Sequence, residues 1–61
     1  MKRVDLVKYL SKQGCALAQE GAKHSVFFNL ETKHTSTIPR HKEINHFLAK
    51  KICRDLGVDE V

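Results

Sequence analysis

His24 to Leu30 is the stretch that most narrows what this chain can fold into. Its residues alternate as a strand requires, with Val26, Phe28 and Leu30 on one face and Ser25, Phe27 and Asn29 on the other. Val26 and Phe28 make the more apolar face and are expected to turn toward a core. Before this run, Cys15 to Glu20 is a six-residue segment between Gly14 and Gly21, too short for a helix and read as a strand. After it, His34 to Ile38 is β-branched and alternating, and it ends at Pro39, which has no N–H to offer a ladder. The intervening turn, Glu31-Thr32-Lys33, has neither Gly nor Pro, so its type stays open.

Helical patterns flank the three strands. Val4, Val7 and Leu10, joined by Leu6, form one apolar stripe, and Gly14 stands where a left-handed stop is wanted. At the other end Asn45 suits an N-cap, and Leu48, Ala49, Ile52, Cys53 and Leu56 make a second stripe. Arg54 falls in the last turn, where a cation complements the helix dipole, and Gly57 supplies the stop. Phe47 lies off the stripe and is expected at a rim. The order α-β-β-β-α predicts an α+β fold, a three-stranded antiparallel sheet with two helices packed on one face. Val7, Leu10, Leu17, Val26, Phe28, Ile38, Leu48, Ile52 and Leu56 are the expected core. Residues 1–61 read as a single domain, and a chain this short buries only about 60% of its unfolded surface.

Charge points to the kind of partner. Eleven Lys and Arg against seven Asp and Glu leave a formal +4, which suits a nucleic-acid backbone or an acidic protein. The two cysteines, Cys15 and Cys53, show no paired spacing and are expected to be buried and reduced. No C-x₂-C or H-x₃-H pair occurs, and His41 and His46 are five apart, so no metal site and no cofactor are expected. The N-terminus has no apolar leader and the chain has no membrane-length apolar run, which reads as a cytoplasmic protein.

Gly21-Ala22-Lys23-His24 is where chemistry is expected. A glycine permits a tight turn or a close approach, a cation follows two residues later, and then comes an imidazole at the mouth of the central strand. A lysine attracts negative charge, and a histidine can take or give a proton near neutral pH, a pairing suited to a phosphodiester. On these four residues alone, a structural or merely exposed histidine is the commoner outcome.

Read together, several segments resemble one family. Lys2-Arg3-Val4-Asp5-Leu6-Val7, the Gly14 stop, Gly21-Ala22-Lys23-His24-Ser25, Ile38-Pro39-Arg40-His41 and the closing Ile52-Cys53-Arg54-Asp55-Leu56-Gly57-Val58 are similar in order and spacing to the HicA (YcfA-like) toxins of bacterial type II toxin–antitoxin systems. Ala22-Lys23 stands where many members carry Gly-Gly or Gly-Ser. The resemblance implies an mRNA interferase with a double-stranded-RNA-binding-domain-like fold and a HicB-like antitoxin as partner. It also places the family's catalytic histidine on His24.

Chemistry accommodates that implication without a metal. RNA brings its own nucleophile, the 2′-hydroxyl, so a base, an acid and cations for the phosphorane charge can suffice. His24 is expected in one proton-transfer role, with Lys23 and Arg40 on phosphate. His41, beside Arg40 in a stiff post-proline turn, is expected at the RNA and is a candidate for the second role, although a simple entry to the following helix explains it equally well. The competing class is a non-catalytic RNA-binding module of the same topology, reading an RNA helix through phosphates and 2′-hydroxyls. Such a module needs more chain to span successive grooves, which favours the endoribonuclease.

Overall fold

A computed structural model of the chain describes all 61 residues. The elements run α1 (Arg3–Lys12), β1 (Cys15–Glu20), β2 (His24–Asn29), β3 (Thr35–Pro39) and α2 (His46–Leu56). The strands form one antiparallel sheet in the order β1-β2-β3, so the alternating run is the central strand. Both helices lie on one face of it. Leu6 and Leu10 from α1 and Ala49, Ile52, Cys53 and Leu56 from α2 meet Cys15, Phe27 and Ile38 in a single core, with Ile44 closing it from the loop before α2.

Local chemistry accounts for the helix ends. Asn45 caps α2 by accepting the Phe47 N–H at 2.7 Å. At the other end Gly57 takes a left-handed φ of 74°, and the Val58 N–H returns to the Cys53 carbonyl at 3.0 Å. Phe47 is 83% exposed, in keeping with its place off the stripe.

The buried face of β2 is the reverse of the expected one. Ser25, Phe27 and Asn29 point under the helices, whereas Val26 and Phe28 are only half-buried on the open face and Leu30 lies beyond the strand. Two polar residues tolerate burial here because each is satisfied. Asn29 Nδ2 donates to the Leu56 carbonyl at 2.8 Å, while its Oδ1 accepts the N–H groups of Glu31 and Thr32. That side chain builds the turn which lacks Gly and Pro, and Lys33 takes the positive φ of 68° there.

Three more core expectations shift. Leu17 is 48% exposed because β1 is an edge strand whose register slips between Leu17 and Gln19. Val7 and Leu48 pack against the core from its margin; Leu6, outside the expected set, is fully buried.

Candidate active site

One end of the sheet gathers most of the residues singled out above. There the β1–β2 turn and the end of β3 meet the first turn of α1. The Gly21 N–H donates to the His24 carbonyl at 2.8 Å. Gly21 has no left-handed φ. Glycine is needed for proximity instead, since a Cβ would sit 3.0 Å from that carbonyl oxygen.

His24 opens β2 opposite Pro39 and is exposed. Unbroken alternation through Phe28 carries it onto the open face, away from the helices. Arg40 then joins the turn to the end of β3. Its N–H donates to the Lys23 carbonyl at 3.2 Å, and its Nη1 donates to the Gly21 carbonyl at 3.2 Å and lies 3.5 Å from Glu20 Oε1. Gly21, Lys23, His24 and Arg40 are thus brought together by backbone pairing and one guanidinium. His41 points elsewhere: it lines a groove of about 510 Å³ between the first turn of α1 and the loop after β3.

The family model of the HicA toxin of bacterial toxin-antitoxin matches residues 4–58, a span holding this turn, its brace and nearly all of both helices. The chain belongs to the HicA toxin family. No curated protein and no solved structure matches it. Family membership makes this HicA protein the toxin of a toxin–antitoxin pair, with an antitoxin as its partner.

Directly beneath His24 the toxin holds a polar network invisible to sequence reasoning. Ser25, fully buried, donates to Glu20 Oε1 at 2.5 Å and accepts from Arg3 Nη2 at 2.8 Å. Arg3 Nε donates to the carbonyl of Pro39, the cross-strand partner of His24, at 3.1 Å. One guanidinium from α1 therefore ties β2 and β3 together where His24 emerges. Charge-assisted bonds of this kind contribute roughly 1.5–3 kcal/mol each. Only a serine beside the histidine and an arginine in the opening segment hint at it, and 22 residues separate the two.

Neither thiol belongs to this end of the molecule. Cys15 and Cys53 are free and buried in the core, and burial pushes both thiols above their ordinary value, with Cys53 adding to the rise at Cys15. No three His, Cys, Asp or Glu side chains cluster as metal ligands would, and no helix is long and apolar enough to cross a membrane.

Proposed function

We propose that this HicA toxin is a metal-independent endoribonuclease that cleaves mRNA and so stops translation. The observation that carries the reading is an exposed imidazole on the open sheet face, opposite Pro39 and directly after a turn, Gly21 to Lys23, that Arg40 braces. In the reaction the 2′-hydroxyl loses its proton to a base and attacks the adjacent phosphorus. The bond to the 5′-oxygen then breaks, and an acid protonates that oxygen. His24 performs one of these transfers. Lys23 and Arg40 hold phosphate and offset the charge that builds on the phosphorane, and His41 binds RNA from the neighbouring groove. The antitoxin is a HicB-like protein that covers His24 and blocks access.

The test is cleavage of single-stranded RNA in EDTA by the parent protein and by His24→Ala. Loss of one general acid or base lowers the rate roughly 10²–10⁴-fold. RNA affinity falls far less, because it comes mainly from cation–phosphate contacts. A His24→Ala protein that cuts at the parent rate removes His24 from the chemistry. A parent protein that binds RNA without cutting it would establish the non-catalytic module instead.

A further inference from the structure

The groove beside the catalytic end is a built feature. Lys2 and Glu43 pair as an antiparallel bridge, the Arg3 N–H donates to the Lys42 carbonyl at 2.8 Å, and the Ile44 N–H donates to the Met1 carbonyl at 2.7 Å. These long-range bonds hold residues 1–3 against residues 42–44. Lys2, Arg3, Arg40, His41, Lys42 and Glu43 line the resulting concavity, and Val4 is its only apolar lining residue. Its volume, about 510 Å³, falls in the range of small-ligand clefts.

Four cations face one carboxylate here, and they are not equivalent. Arg3 is occupied by Pro39 and Ser25, while Arg40 commits only its Nη1 to Gly21 and Glu20. Glu43 lies 3.8 Å from the Met1 ammonium. Lys2 and Lys42 are exposed and have no side-chain hydrogen bond or ion pair within the chain. Lys2 is also the N-cap of α1, so the positive end of that helix dipole opens into the same space. The result is a polar concavity with unspent positive charge, fit for an anion and unsuited to an apolar segment.

We infer that this groove is a second phosphate subsite, holding the RNA backbone phosphate next to the one that is cleaved, with Lys2 and Lys42 as its free ligands. The inference rests on the nuclease reading for its choice of RNA over another polyanion. Continuity supports that choice, because Arg40 belongs to both places: its N–H bonds Lys23 beside His24, and the same residue lines the groove. A single strand with its scissile phosphate at His24 passes its next phosphate over Arg40 and between the two lysines. The substrate is thereby a single-stranded RNA with a phosphate flanking the cut, and the two lysines contribute affinity without taking part in proton transfer.

The test separates this inference from the nuclease reading by using RNA that cannot be cut. A single-stranded 2′-O-methyl oligonucleotide lacks the nucleophile, and its binding is followed by fluorescence anisotropy over a salt series. Each single-strand phosphate contact contributes about 0.7 to the slope of log K against log salt, so the double variant Lys2→Ala, Lys42→Ala should flatten the slope by about 1.4. The double variant Lys2→Arg, Lys42→Arg should restore it. Lys8→Ala, Lys12→Ala removes the same charge from α1, outside the groove, and should leave the slope nearly intact. An unchanged slope in the groove variant overturns the inference and leaves the groove to an acidic protein. Equal flattening in the Lys8, Lys12 control overturns it too, because binding would then follow net charge alone. Cleavage of unmodified RNA by the parent is scored separately, so either idea can fail while the other stands.

Discussion

Gly21 shows how one missing side chain can set the geometry of the proposed active site. Its hydrogen bond to the His24 carbonyl leaves no room for a Cβ, which would meet that oxygen at 3.0 Å. Gly21→Ala must push the turn away from the strand end by a few tenths of an ångström, and His24 moves with it. A displacement of that size matters far more to proton transfer than to folding, since misplacement of about 1 Å can cost about 10²-fold in rate. Gly21→Ala should therefore lower the cleavage rate clearly while shifting the melting temperature little. A large drop in Tm with unchanged specific activity would contradict this account of the glycine.

At the scale of the element, the central strand decides most. Phe27 is buried under both helices, whereas Phe28 sits half-covered on the open face. Phe27→Ala should cost roughly 3–5 kcal/mol, comparable to the whole stability of a 61-residue domain at about 0.05–0.15 kcal/mol per residue. Phe28→Ala should cost distinctly less, and urea denaturation of the two variants compares them directly. Equal losses would mean that the open face is covered. Helix α2 is also tied to β3 by an ionisable group. Asp55 accepts from Lys51 at 2.8 Å and from Ser36 at 3.2 Å, and the Lys51 bond is the main reason its carboxyl lies below the ordinary value of 3.8. A carboxyl whose folded pKa is depressed adds stability above its unfolded pKa, and that stability is lost as pH falls through the folded value. Urea midpoints should thus decline on acidification below about pH 4, and Asp55→Asn should flatten that limb. An unaltered acid limb in Asp55→Asn would assign the decline to other carboxylates.

Seen whole, the molecule is one sheet with one layer of helices, 16 Å across its thinnest dimension. Ten buried apolar residues make a core too small for a wide stability margin. A partner that binds only the folded toxin must raise its stability by mass action. With free antitoxin a hundredfold above its Kd, the gain is about 2.7 kcal/mol, which for a domain of this size raises Tm by more than about 10 °C. Calorimetry of the toxin with and without antitoxin measures this. An antitoxin that suppresses cleavage without moving Tm would act on the RNA instead of on the toxin fold.

Much was decided by sequence alone because it is local. A 3.6-residue period from Val4 to Leu10, a period of two from His24, the Asn45 cap and the Gly14 and Gly57 stops dictate helix, strand and chain reversal within a few residues of themselves. They sufficed for the element order, and the spacing of short motifs sufficed for the family. Which face of β2 is buried was not local. By apolar count the Val26 and Phe28 face should win, but the helices cover the other side, where Arg3, Glu20 and the Leu56 carbonyl satisfy Ser25 and Asn29. The setting of the candidate site was decided in the same way. Arg3 reaches Ser25 across 22 residues, and Lys2 meets Glu43 by backbone pairing. Contacts between such distant positions leave no periodic trace in a sequence, so only the folded chain brings them together.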